Sequence, residues 1–283
     1  MKISLTVNFH LLKNCNFRCK FCYAHFKDSS LLSIEECKQI LVELKKSGIS
    51  KINFAGGEPL LYKNFGELLT FAKHLGFVTS IISNGSRITQ DWINEYAQFL
   101  DVIGISCDSA NEDTLINLGR GNGDSALNTF EVFRLVDEFS LRSGKRIFKK
   151  LNSVVTSLNC NEDMKGFVRS LNINRWKVFQ ILRIEGENEL HYDSLKITED
   201  EFNGFIARHA TLNKEGMSIV AESNDAMTNS YLMINPDGCL YQNSEGEYIK
   251  SKAILKVGFE KAFKQISFSQ EKFLNRGGVY SFT

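Results

Sequence analysis

Three cysteines, Cys15, Cys19 and Cys22 in CNFRCKFC, carry the first chemical signal in the chain. At spacings of four and three residues, three thiolates can converge on one metal centre. A cubane iron–sulfur cluster ordinarily takes four cysteines. Three would leave one iron open to bind and cleave a small molecule. Zinc is the competing reading, since structural zinc takes four ligands and His25 could supply the fourth.

Other candidates follow strand-like runs. In Gly56-Gly57-Glu58-Pro59, paired glycines admit a ligand close to the backbone and leave main-chain N–H groups to donate. The Glu58 carboxylate could hold an amine there; an ordinary turn is the alternative. Asn84 lies in Ser83-Asn84-Gly85-Ser86, and Ser106 and Asp108 end another run. Arg120 in Gly119-Arg120-Gly121 could clamp a carboxylate bidentately, or simply face solvent.

A further pattern lies inside the strands. Residues two apart share a strand face. Asn8 and His10, Lys51 and Asn53, Lys150 and Asn152, and Arg175 and Lys177 are such pairs. Buried parallel strands should be nearly continuously apolar, and burying several cations without counter-charge is costly. Polar pairs on four strands therefore point to a polar interior that binds a polyanion, and a triphosphate suits three lysines and an arginine.

Those residues need elements to position them. Strands are expected at Ile3 to His10, Lys51 to Ala55, Phe77 to Ile82, Val102 to Ser106, Arg146 to Val155 and Lys177 to Ile184. Helices alternate with them: Ser33 and Glu36 form a capping-box signature for the first, and Gln90 to Leu100, Ala126 to Leu141, Glu162 to Leu171 and 198–213 supply others. Alternating βα units imply a parallel sheet with right-handed crossovers. The fold class is α/β: a partial (β/α)6 barrel over 1–215, with 216–283 as a C-terminal extension packed on it. In that extension, Tyr231 to Ile234, an Asn-Pro-Asp-Gly turn and Cys239 to Gln242 read as a hairpin.

At 283 residues, 43% hydrophobic and 24% charged, the chain has the composition of a soluble globular protein. A net charge of +1 gives no overall field for nucleic acid or anionic lipid. Seven cysteines, four of them scattered, suggest a reducing compartment. With no signal-peptide pattern and no apolar run of the ~20 residues that span a bilayer, a cytoplasmic protein without a membrane anchor is expected.

The CxxxCxxC triad, with Phe21 before its last cysteine and Gly-Gly-Glu-Pro after the next strand, resembles the radical S-adenosylmethionine (SAM) superfamily. That resemblance implies a [4Fe–4S] cluster whose unique iron chelates SAM, and reductive cleavage of SAM to a 5′-deoxyadenosyl radical. Over nearly the whole chain, NFHLLKNCNFRCKFC, KINFAGGEP, ISCDS, FKKLNSV, RWKVFQILRIEGEN, NSYLMINPDG and FLNRGG are similar to the viperin family. Viperins convert a nucleoside triphosphate (CTP, UTP or GTP) to its 3′-deoxy-3′,4′-didehydro analogue, an antiviral chain terminator, by abstracting the ribose C4′ hydrogen.

The resemblance implies cluster ligation by Cys15, Cys19 and Cys22. It implies SAM contacts at Phe21, Tyr23, Gly56, Gly57, Glu58, Asn84, Ser106 and Arg120. Triphosphate binding falls on Asn8, Lys51, Asn53, Lys150, Asn152, Arg175 and Lys177, and Tyr280 matches the active-site tyrosine of the tail. A flavodoxin-type reductase is implied as electron donor, and a monomer is expected. Ala55 stands where animal members carry serine. No counterpart of the amphipathic membrane-tethering helix of those members is expected, and the sequence runs three residues past Tyr280. Two other readings are a radical SAM enzyme acting on a peptide or RNA base, and a non-enzymatic metal-binding module.

Overall fold

The computed structural model describes residues 5–26, 29–244 and 246–279; Tyr280 lies outside them. Ten strands are present among these residues: β1 (Thr6–His10), β2 (Lys51–Ala55), β3 (Val78–Ser83), β4 (Val102–Ser106), β5 (Phe148–Val155), β6 (Arg175–Gln180), β7 (Ser218–Glu222), β8 (Leu232–Ile234), β9 (Cys239–Ser244) and β10 (Glu247–Ala253). They form one sheet in the order β10-β9-β8-β1-β2-β3-β4-β5-β6-β7. Each pair from β1/β2 to β6/β7 is parallel, as is β1/β8; β8/β9 and β9/β10 are antiparallel. This is the expected α/β class, a mostly parallel sheet consistent with a partial barrel.

Helices cover the outer face. The first, Ile34–Lys46, opens on a complete capping box: the Ser33 hydroxyl accepts from the Glu36 N–H, and the Glu36 carboxylate accepts from the Ser33 N–H. It buries Cys37, Ile40, Leu41 and Leu44, the single stripe that 3.6-residue periodicity provides. On β5 the two lysines separate by face. Lys149 points outward to Asp137 at 2.6 Å, whereas Lys150 lines the interior cavity. At Gly104 of β4, an added Cβ would stand 2.9 Å from the Lys150 Cε, so this glycine makes room for the Lys150 stem.

Several boundaries differ from expectation. The sixth strand begins at Arg175 and ends at Gln180 rather than running to Ile184. Beyond it, the buried Asn188 side chain accepts from the Ile184 N–H and donates to the Leu182 and Phe21 carbonyls. Those bonds turn the chain toward the cysteine loop. Glu199–His209 is α-helix, and the expected helical run continues only as 3-10 turns over Ala210–Glu215. Strand β7 was not expected. It is a five-residue edge strand with an exposed outer side, so its sequence lacks the apolar run that marks a buried strand. The hairpin expected in the extension is β8 and β9, and the sheet continues into β10.

Candidate active site

The cysteine loop, residues 11–24, crosses the carboxyl ends of the strands, where parallel folds place their chemistry. It is held on two sides. On one, the Gly57 N–H donates to the Leu12 carbonyl at 2.7 Å and the Glu58 N–H to the Asn14 carbonyl at 2.8 Å. On the other, the Arg18 N–H donates to the Gly119 carbonyl and the Lys20 N–H to the Leu118 carbonyl. An added Cβ at Gly57 would lie 2.2 Å from the Asn14 carbonyl oxygen, and one at Gly119 would lie 2.1 Å from that of Arg18. This corrects the reason for the glycine pair. At Gly57 the close approach is made by the cysteine loop rather than by a ligand, and the Gly57 N–H is engaged rather than free.

Cys15, Cys19 and Cys22 are unbridged and line one cavity. Burial pushes the Cys19 thiol up to about 12 and the Cys22 thiol to about 11. Metal binding supplies the positive charge that thiolates need in such surroundings. Among the described residues, no group of three Cys, His, Asp or Glu side chains is gathered tightly enough for a single ion. A cubane relaxes that requirement, because each cysteine meets a different iron. The fourth zinc ligand considered from sequence is directed elsewhere: His25 Nδ1 lies 3.1 Å from the Glu187 carbonyl oxygen. Three half-buried thiols on one cavity wall fit an iron–sulfur cluster.

The same cavity brings together most of the sequence candidates. Phe21, Tyr23, Gly56, Gly57, Asn84, Ser106 and Arg120 line it near the cysteines. Glu58 is not among the lining residues. Its carboxylate is fully buried, accepting from the Ser83 hydroxyl, the Asn84 N–H and the Leu60 N–H, and so ties the Gly-Gly-Glu-Pro turn to the third strand's loop. Arg120 forms a buried ion pair with Asp108, a pairing not foreseen from sequence, and its guanidinium lies 5.4 Å from the Phe21 ring centre. Asp108 in turn accepts from the Val154 N–H at 2.8 Å. Burial raises the Asp108 carboxyl, against the opposing pull of Arg120.

Deeper in the barrel, Asn8, Lys51, Asn53, Lys150, Asn152 and Lys177 line the cavity. Strand register sorts them into layers. Lys150 is level with Arg175, and Asn152 with Ser106 and Lys177. Asn8 is level with Asn53, and Asn53 donates to Asn8 Oδ1 at 2.8 Å. Two residues of strand rise are about 7 Å, so Lys150 and Arg175 lie one layer below the Ser106 level and Lys177 lies at it. Arg175 is not among the lining residues; its guanidinium donates to the Gly277 carbonyl at 3.2 Å. Burial first, then the charge of Arg175, brings the Lys150 ammonium down to about 7. Burial and then Lys150, Arg175 and Lys177 hold Lys51 well below the usual lysine range. Asn53 Oδ1 and Asn152 Oδ1 are buried acceptors without a hydrogen-bond partner among the described residues.

Sequence reasoning missed three residues of this wall. Glu222, fully buried at the end of β7, pairs with Lys177 and accepts from the Tyr231 hydroxyl. Arg276 lies 3.7 Å from the same carboxylate. Their signal was faint: Val220 and Glu222 repeat the two-residue spacing of Arg175 and Lys177, but on a strand that was itself overlooked. His209 is a satisfied core histidine, accepting from the Met164 N–H and bonded to the Phe205 carbonyl.

Residues 10–137 match the Radical SAM superfamily. The chain is 38% identical to an S-adenosylmethionine-dependent nucleotide dehydratase of Flammeovirga pacifica, over 97% of this chain and 95% of that protein. It is 38% identical to one from Lacinutrix mariniflava over 98% of this chain, and spans 58% of that longer protein. Among solved structures, native anSMEcpe with bound AdoMet and Kp18Cys peptide superposes with a TM-score of 0.69 at 17% identity, over 96% of this chain and 82% of that one; at that identity the likeness concerns the fold. No helix among the described residues is long and apolar enough to cross a membrane. The cysteine-lined cavity, the parallel sheet that carries it and the near-full-length match to the Flammeovirga pacifica protein together show that the chain belongs to the S-adenosylmethionine-dependent nucleotide dehydratases of the radical SAM superfamily.

Proposed function

We propose that this chain dehydrates a nucleoside triphosphate to its 3′-deoxy-3′,4′-didehydro analogue. The observation that carries the substrate is the set of buried lysines that β2, β5 and β6 turn into the cavity, Lys51, Lys150 and Lys177, with Arg175 beside them; neighbouring cations lower the proton affinity of Lys51 and Lys150. Such a wall is electrostatically unfavourable when empty and favourable around a polyanion. Cys15, Cys19 and Cys22 would hold a [4Fe–4S] cluster, and Arg120, steadied by Asp108, would meet the carboxylate of SAM. Bound there, cluster and SAM would supply a 5′-deoxyadenosyl radical, with electrons from a one-electron donor of flavodoxin type.

The chain's own residues then position and enclose. Lys51, Lys150, Arg175 and Lys177 bind the triphosphate. Asn53 Oδ1 and Asn152 Oδ1, acceptors in need of a donor, stand two residues beyond Lys51 and Lys150 on the same strands, toward the cysteine loop, and face the ribose hydroxyls. That order leaves the sugar between the phosphates and the cysteine loop. Fixing the phosphates at several points restricts the ribose to one orientation, and the surrounding barrel wall keeps water from the reacting carbon.

Calorimetric titration of the cluster-loaded protein with CTP, UTP, GTP and ATP tests the substrate class. At least one should bind, and Lys51→Met should weaken it by about 10- to 100-fold, the value of one charged hydrogen bond. Failure of all four to bind a folded, cluster-loaded protein would contradict the proposal.

A further inference from the structure

Asn243 on β9 is 5% exposed and lines the cavity, yet it has no place in the cluster, SAM or phosphate sets. Its side-chain oxygen and its side-chain nitrogen are both buried without a hydrogen-bond partner among the described residues. No other amide side chain among the described residues of the cavity wall has donor and acceptor both buried and unmatched. Buried polar groups almost always have partners, and leaving one without is costly. A side chain with both groups unmet is set for a ligand that brings an acceptor and a donor side by side. The backbone holds the amide in place: Asn243 pairs with Tyr248 of β10, and its carbonyl accepts from the Asn229 N–H at 3.1 Å.

Its position narrows the choice of ligand. The Asn229 bond sets Asn243 opposite the segment 229–231. Leu232 is level with Val7, so that segment runs past the Thr6 end of β1, the level of Lys51, and away from the end where the cysteine loop leaves. Tyr231 connects this region to the anion wall, because its hydroxyl accepts from Lys177 at 2.9 Å. The same stretch of cavity carries Met227, Met233 and the Tyr248 ring. An oxyanion offers acceptors only and would leave the amide oxygen unmet. A nucleobase offers a donor beside an acceptor on its Watson–Crick edge, and apolar faces that suit such side chains. In a nucleotide, the base and the phosphate chain leave the ribose on either side of its ring oxygen. With the phosphates toward β2, β5 and β6, the β8–β9 side is left for the base.

We infer that Asn243 is the residue that reads the nucleobase, its Oδ1 accepting from the Watson–Crick edge and its Nδ2 donating to it; this rests on the nucleotide reading above. A carboxylate at this position would have acceptors only. Guanine alone presents two adjacent donors on that edge, N1–H and the 2-amino group, whereas uracil flanks its single N3–H with two acceptors. Asn243→Asp should therefore shift the preference toward GTP and away from UTP, and Asn243→Leu, similar in volume, should remove the reading of any base.

The test is calorimetric titration of the cluster-loaded protein with CTP, UTP, GTP and ATP, and with ribose 5-triphosphate, which lacks a base. The native protein should bind its best nucleotide at least about tenfold more tightly than ribose 5-triphosphate, the worth of a matched buried edge. In Asn243→Leu that advantage should shrink by about tenfold or more, because a site built to hydrogen-bond loses most when its partner is left unmet. In Asn243→Asp the ratio of GTP to UTP affinity should rise by about tenfold or more. Equal native affinity for ribose 5-triphosphate and every nucleotide, or an unaltered advantage in Asn243→Leu, would overturn the inference. If Asn243→Leu fails to fold, Asn243→Asp decides, and an unaltered ratio there overturns the inference equally. A folded native protein that binds neither nucleotides nor ribose 5-triphosphate would defeat the substrate reading, and this inference with it.

Discussion

Replacing Lys150 by methionine should make the empty protein more stable and a poorer nucleotide binder. Burial and the neighbouring Arg175 bring Lys150 from 10.5 to about 7. At ~1.4 kcal/mol per unit, that shift costs the folded state roughly 5 kcal/mol as an upper bound. The sign follows from proton counting. Between about 7 and 10.5 the unfolded chain holds the Lys150 proton more tightly than the folded one, so native stability rises with pH across that window. Below about 7 the full penalty applies; above 10.5 it vanishes. Lys150→Met fills a similar volume without the charge. It should gain up to a few kcal/mol at pH 7 and lose this part of the pH dependence. Denaturant melts at pH 6 to 10 measure both. A bound triphosphate reverses the electrostatics, so the native protein should take up about one proton on binding nucleotide at pH 8, seen by calorimetry in buffers of different ionisation enthalpy. Affinity should therefore fall as pH rises above about 7, and Lys150→Met should show less uptake. A variant that is less stable than the native protein, with unchanged nucleotide affinity, would refute the reasoning.

Two further perturbations separate the two halves of the cavity. Asp108→Asn breaks the buried pair with Arg120 and should cost roughly 3–5 kcal/mol of stability; SAM affinity, read by equilibrium dialysis, should fall more than nucleotide affinity. Gly57→Ala would set a methyl against the Asn14 carbonyl and displace the cysteine loop, so iron content after reconstitution should drop while nucleotide binding is retained.

Much of the site was legible because it is written locally. The cysteine triad lies within eight residues, and strand parity selected Lys150 over Lys149. What escaped depends on neighbours in space. Asp108 and Glu222 matter because strand order sets them beside Arg120 and Lys177, and nothing in their own surroundings marks them. Glu58 and Gly57 were recognised as important but for a different physical reason: one fastens a loop, and the other gives way to one. Short edge strands such as β7 carry too little periodicity to be recognised alone, and with β7 went the buried acid at its end.

The central claim is that nucleotide held in the barrel is what the cysteine loop's radical chemistry acts on. The direct measurement is anaerobic reconstitution with iron and sulfide, then SAM, dithionite and each of CTP, UTP, GTP and ATP, following 5′-deoxyadenosine and nucleotide mass together. The account predicts that one nucleotide stimulates 5′-deoxyadenosine release and yields a product lighter by one water. Cleavage of SAM at the same rate with and without every nucleotide, and no dehydrated product, would contradict it.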